Sequence, residues 1–209
     1  MVMEFWNDRA TDASWAVLLR LRAALAQAGG FTLIGGWAVY LWTKALKSKD
    51  IDVVVDYPAL EQLRQLGLKK NPALKKYEIA MDDISVDIYV PFYSQLAIPP
   101  EELGKHTASR EGFTVPRPEA LILLKQRAAH ARAHSAKGEK DRVDILSLLL
   151  HAQFDTDRYH SLSLRWQPEA LRQLTSLIRT SKAEWRYLGI ADPGKVKREK
   201  ARLLALVEP

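Results

Sequence analysis

The sequence predicts an α+β fold: a mixed β-sheet with flanking helices, followed by a C-terminal helical region. Two observations carry this. Short apolar runs, "FTLI", "DIDVVV" and "ISVDIYV", alternate with helix-period stretches over residues 1–116, whereas residues 117–209 show helix periodicity alone. The expected division is therefore an α/β unit over 1–116 and a helical region over 117–209. With 209 residues, 47% of them hydrophobic, the chain is long enough to bury a sizeable core.

Taken in order, "TDASWAVLLRLRAALAQAGG" (11–30) places Trp15, Leu18, Leu19, Ala23 and Ala26 at helical spacing, with an Asp or Ser in front as candidate N-cap and Gly29 behind. "FTLI" reads as a buried strand, broken by Gly35 and Gly36 before a helix in "WAVYLWTKAL". "KDIDVVVDY" is the next strand, and Pro58 opens a third helix. "KKYEIAM", the turn "DD" and "ISVDIYV" form a hairpin that Pro91 ends. A Pro-punctuated connector with one short strand near Phe113–Val115 leads to helices in "PEALILLKQRAAHARAH", "EKDRVDILSLLLHA", "QPEALRQLTSLIRTSKAEW" and "PGKVKREKARLLALVE".

Composition narrows the function classes. Thirty-one Lys and Arg against 25 Asp and Glu give a net charge of +6, which suits a polyanionic partner without naming one. The absence of cysteine removes disulfides, thiolate metal sites and cysteine nucleophiles, and no run of 18 apolar residues suggests a membrane span. A cytoplasmic protein with no membrane partner is the expectation. Neither a Walker A loop nor a G-x-G-x-x-G turn occurs, so P-loop and Rossmann chemistry lack support. His130 and His134 have zinc-pair spacing but neither the intervening Glu nor a third ligand.

The acids in the strands are the chemical signal. Alternation sends Asp50 and Asp52 to one face while Ile51 and Val53 point away. Two such carboxylates repel, and one is driven toward protonation unless a hard cation such as Mg²⁺ lies between them. Asp87, flanked by Val86 and Ile88, sits on a strand that would bring a third carboxylate to the same edge, the donor set of a two-metal phosphoryl-transfer site. The plain alternative is three strand-end acids in water. Gly35 and Gly36, between strand and helix, offer backbone N–H groups at a helix start, where phosphate binds, or simply a tight turn.

Together, "IGGWAVY", the "DID" that follows and the later "VDIYV" resemble the signature of the nucleotidyltransferase superfamily, the group with the DNA polymerase β-like fold. The resemblance implies that Gly35 and Gly36 cradle the triphosphate, that Asp50 and Asp52 bind two Mg²⁺ ions, and that Asp87 shares the ion activating the attacking hydroxyl. Many members carry Ser where Gly36 stands, which here would leave only backbone donors. Asp56 falls outside the pattern and reads as a strand-end or turn acid.

A second segment, "VPRPEALILLKQRAAHARAHSAKGEKDRVDILSLL", resembles the small branches that include AbiEii-type toxins, through Pro118, Glu119, Lys125, Lys140, Asp141, Asp144 and Ile145. Lys125 is a solitary cation on an apolar helix face, either reaching into a cleft toward phosphate or snorkelling at the helix edge. Asp141 and Asp144 would equally serve to cap and support their helix. The resemblance implies a Mg²⁺-dependent, nucleotide-binding (ATP or another NTP) transferase that moves an NMP onto a hydroxyl, with RNA or tRNA as acceptor and an antitoxin or other protein as partner. The alternative is an inactive nucleotide- or nucleic-acid-binding module of the same fold. Basic clusters at 127–142 and 195–202 would track a nucleic-acid backbone or form solvated helix faces.

Overall fold

The computed structural model describes residues 5–208. The elements are α1 (Asp8–Leu25), β1 (Thr32–Ile34), α2 (Gly35–Thr43), β2 (Ile51–Val54), α3 (Tyr57–Leu63), β3 (Lys69–Asn71), β4 (Lys76–Met81), β5 (Ile84–Tyr89), α4 (Pro100–Leu103), β6 (Thr107–Arg110) and β7 (Phe113–Pro116). Helices alone follow: α5 (Pro118–Ala131), α6 (Ala136–His151), α7 (Thr156–Trp166), α8 (Ala170–Thr180), α9 (Glu184–Tyr187) and α10 (Pro193–Val207). The chain is thus α+β, as its pattern predicts.

All seven strands join one mixed sheet of order β3-β4-β5-β2-β1-β7-β6. The central strands β1, β2 and β5 are deeply buried: Leu33, Ile51, Val53, Val86 and Ile88 are all at 0% exposure. β2 runs antiparallel to β1 and parallel to β5, while β7 returns to pair parallel with β1. The expected hairpin is present as β4–β5, turned by Asp82 and Asp83, both with positive φ.

One hydrophobic core runs through both halves, joining Leu33 and Ile88 of the sheet to Leu121, Ile145, Leu174 and Leu203 of the helices. α5 and α6 lie against α2, so the helical region roofs the end of the sheet where β1 gives way to α2.

Several local expectations shift. α1 begins earlier than expected and is capped by Asn7, whose side chain accepts from the Arg9 N–H. Ser14 instead turns inward and accepts from Trp37 Nε1 at 2.8 Å. Leu19 faces solvent, and Val17, Leu18, Leu21 and Leu25 form the buried stripe. The stretch 167–185 is two helices rather than one, because the backbone at Ser181 is extended. β3, α4, β6 and α7 lie where no element was expected.

Candidate active site at the sheet–helix junction

Alternation along β2 does what the sequence requires: Ile51 and Val53 fill the core while Asp50 and Asp52 emerge together on the opposite face. Because β5 runs parallel in register, Asp52 stands directly beside Asp87. The neighbouring position on β1 is Ile34, the residue before α2. Asp50, Asp52 and Asp87 therefore meet at one cleft with the N-terminus of α2.

The Gly pair is shaped by its contacts. Gly35 has φ +69°, and a Cβ there would lie 2.1 Å from Asp52 Oδ2. Only glycine lets α2 start against that carboxylate. A Cβ on Gly36 would meet Ser48 Oγ at 2.6 Å, so the Ser48 side chain occupies the space a residue 36 side chain would need. The Ser48 hydroxyl donates to the Asp50 carbonyl and lines the same cleft.

Each acid has a distinct electrostatic setting. Asp50 pairs with Lys137 of α6 at 2.7 Å, and Asp87 pairs with Lys76 of β4 at 2.6 Å, Lys76 also holding Glu78 at 3.0 Å. Among the described residues Asp52 has no such partner. Burial, with the negative charge of Asp87 adding to it, pushes Asp52 up from 3.8 to about 6.

Roofing the acids is a buried ionic network. Lys125 of α5 contacts Asp141 at 2.9 Å and Asp144 at 2.7 Å, Arg132 contacts Asp141 at 2.7 Å, and Lys140 contacts Asp144 at 2.6 Å. Burial opposes the Lys125 charge, but the two aspartates outweigh it and hold its pKa above the ordinary lysine value. Burial likewise pushes Asp141 up, and Lys125 with Arg132 more than reverses that. Lys140 goes the other way: burial lowers its pKa, the nearby Lys125 adds to that, and Asp144 only partly compensates. Three cations against two carboxylates leave one net positive charge beside the acid cluster, and Lys140 Nζ lies 3.9 Å from the Gly36 Cβ position.

Two of the open alternatives are resolved here. Lys125 is buried and cleft-facing rather than snorkelling at a helix edge. Asp141 and Asp144 do not cap α6; Ser135 does, accepting from the Gly138 N–H, which leaves both aspartates free to hold the network. Asp56 lies apart from the cluster and caps α3 by accepting from the Ala59 N–H at 2.9 Å. Sequence reasoning missed Ser48, Lys76 and Tyr89 around this cleft, because only the strand register and the α2 entry bring them there. In the basic cluster at 195–202, Lys200 is engaged in holding the carbonyls of Arg179 and Ser181.

Asp50, Asp52 and Asp87 are hard oxygen donors, the class that suits Mg²⁺. Among the described residues, however, no three His, Asp or Glu side chains converge as a formed metal cage. The reason is local: Asp50 and Asp87 are turned onto their lysines, leaving Asp52 as the one acid in the cleft without a cationic partner among the described residues. A divalent cation held by these oxygens would have to displace Lys137 from Asp50 and Lys76 from Asp87. None of the helices among the described residues is long and apolar enough to cross a membrane.

No family model matches the chain, and none of the curated proteins matches it. Among solved structures it is similar to JHP933 from Helicobacter pylori, at 16% identity and a TM-score of 0.56, over 97% of this chain and 94% of that one. It is also similar to an antigenic nucleotidyltransferase-like protein from Paracoccidioides brasiliensis, at 14% identity and a TM-score of 0.42, over 80% of this chain and 93% of that one. The likeness to JHP933 extends over sheet and helical region together, so the two chains share one fold.

Proposed function

We propose that the chain is a nucleotidyltransferase that moves a nucleoside monophosphate from an NTP to a hydroxyl and releases pyrophosphate. One observation carries this reading: Asp52 and Asp87 stand in register on parallel strands, and Gly35 brings the start of α2 against Asp52. The N–H groups opening α2 would donate to phosphate oxygens, with Lys125 and Lys140 supplying charge from the roof. Asp50, Asp52 and Asp87 would hold two Mg²⁺ ions, which when bound neutralise triphosphate charge and acidify the attacking hydroxyl. Asp87 would also take up the hydroxyl proton. The AbiEii-like form of this reading adds an RNA acceptor and an antitoxin partner in the cytoplasm, and it predicts slowed growth when the chain is expressed alone.

The test is incubation with α-labelled NTPs, Mg²⁺ and candidate acceptors. Label transfer by the wild type and none by Asp50→Ala or Asp52→Ala, each folded, supports the enzyme; transfer by the double variant refutes it. An inactive binding module is the second reading, favoured by the Lys137–Asp50 and Lys76–Asp87 pairs, which satisfy two acids without a metal. NTP binding without transfer selects it.

A further inference from the structure

Two cavities adjoin at the acids. One, about 50 Å³, opens over Gly36 and Ser48; the other, about 330 Å³, reaches from Gly35 along β5 and α5. Asp52, Asp87, Lys125, Arg132 and Asp141 line both. A phosphoryl group held at Asp52 and Asp87 therefore meets this common wall, whichever cavity takes the rest of a nucleotide.

Two cations belong to the wall, and they differ. Lys125 is 8% exposed and held by both Asp141 and Asp144, whereas the Arg132 side chain is 41% exposed. Arg132 Nε and Nη2 both reach a single oxygen, Asp141 Oδ2, at 2.7 Å, and Nη1 has no partner among the described residues. One edge of the guanidinium is fixed while Nη1 is left to donate. Partial burial opposes the Arg132 charge, and Asp141 in contact with it, together with Asp52 on the same wall, more than offsets that. The remaining cleft cations are placed otherwise. Lys140 and Lys137 line the smaller cavity alone, and Lys76 and Arg127 the larger alone.

Resting on the proposed function, we infer that Arg132 is a catalytic residue that donates from Nη1 to a non-bridging oxygen of the α-phosphoryl group in transfer. The fold positions it from three sides. Arg132 is the C-cap of α5, and its carbonyl accepts from the Ser135 N–H at 3.0 Å and the Ser135 hydroxyl at 2.8 Å. A Cβ on Gly138 would lie 2.1 Å from that same carbonyl oxygen, so glycine is what lets the first turn of α6 close on residue 132. Asp141, one turn further along α6, then holds the guanidinium itself.

During transfer the hydroxyl oxygen forms the new bond to the α-phosphorus, the bond to the bridging oxygen breaks, pyrophosphate leaves with the electron pair, and the hydroxyl proton passes to Asp87. Arg132 keeps its proton throughout and stabilises the charge on the non-bridging oxygen while those bonds exchange. An arginine suits this place because its planar fork bonds a carboxylate and a phosphoryl oxygen together.

The experiment compares the full-length wild type, Arg132→Gln and Arg132→Lys in an acceptor mixture to which the wild type transfers label. The donors are the α-labelled NTP and its two α-thio diastereomers, and NTP affinity is measured separately by calorimetry. Lys125 still pairs Asp141 in both variants, so both are expected to fold. Arg132→Gln should lower kcat about 10²–10³-fold and change the NTP Kd by less than about tenfold, with Arg132→Lys recovering only part of the loss. Sulfur at the contacted position slows the wild type, and in Arg132→Gln that penalty should shrink about tenfold for one diastereomer alone, the worth of one charge-assisted bond. An arginine that only held Asp141 would leave both thio penalties unchanged. That result, a kcat within about threefold of the wild type, or a loss confined to NTP binding overturns the assignment. Absence of label transfer by the wild type in every mixture sinks the proposed function instead.

Discussion

Replacing Gly35 by alanine is the sharpest probe of the cleft, because two separable strains act at one atom. The first is conformational: at φ +69° an L side chain costs roughly 1–2 kcal/mol. The second is steric. The new Cβ would lie 2.1 Å from Asp52 Oδ2, where ordinary contact begins at 3.4 Å, so the carboxylate must swing or α2 must lift from β2. Overpacking of that kind costs about 1–3 kcal/mol. Gly67 provides the control, since it has φ +76° and a Cβ added there would meet nothing within 4 Å. Gly67→Ala should therefore lose only about 1–2 kcal/mol in urea denaturation, and Gly35→Ala about 2–5 kcal/mol. For a chain of this size each kcal/mol lowers Tm by roughly 2–4 °C, so thermal melting will separate them. Nucleotide transfer should disappear in Gly35→Ala and persist in Gly67→Ala. Equal stability of the two variants would refute the close contact between α2 and Asp52.

Asp52→Asn should stabilise the protein at pH 8 while abolishing transfer. The folded pKa of about 6 exceeds the unfolded 3.8, so the ionised acid costs stability above pH 6 and that cost fades as the pH falls toward 3.8. At 1.36 kcal/mol per unit the gain is at most about 3 kcal/mol, nearer 1–2 given partial exposure, and urea titrations at pH 8 and pH 5 should show it shrinking. A pH-independent difference would contradict it. Gly36→Ser should lose about 1–3 kcal/mol against Ser48, and Ser48→Gly should restore part of it; a double-mutant cycle with zero coupling would remove the contact from the account. Lys125→Met should cost about 1.5–3 kcal/mol, since it removes buried charge-assisted bonds to Asp141 and Asp144 while Arg132 and Lys140 still pair them, measured by urea denaturation, with a loss under about 1 kcal/mol counting against a tightly coupled network.

What could be read from sequence was whatever local pattern determines. The central strands announced themselves because burial makes them apolar, and the interruption of such strands by Asp52 and Asp87 was legible for the same reason. β3, "KKN", was not, since its side chains are largely exposed and its strand character comes from pairing with β4 alone. α7 was hidden by a thin inward stripe: Tyr159, Leu162 and Ser163 are its buried residues, although Asp155 in front of it is a readable cap. Around the cleft, Lys76 and Lys137 reach Asp87 and Asp50 from elements 11 and 87 residues away, partnerships that depend on register and helix docking and leave no mark in local spacing.

The position of β7 has a consequence for how the chain acquires its shape. β7 seals the outer side of β1, pairing Thr32 with Thr114, so roughly 80 residues must be made before the seal forms. Until then β1, with Leu33 and Ile34, presents an open, apolar sheet edge to any neighbouring chain. A fragment ending short of Phe113 would keep the carboxylates and the glycines, yet it would be prone to pair edge to edge with its own copies. The acids belong to the first half of the chain, but their solubility depends on a strand that arrives late.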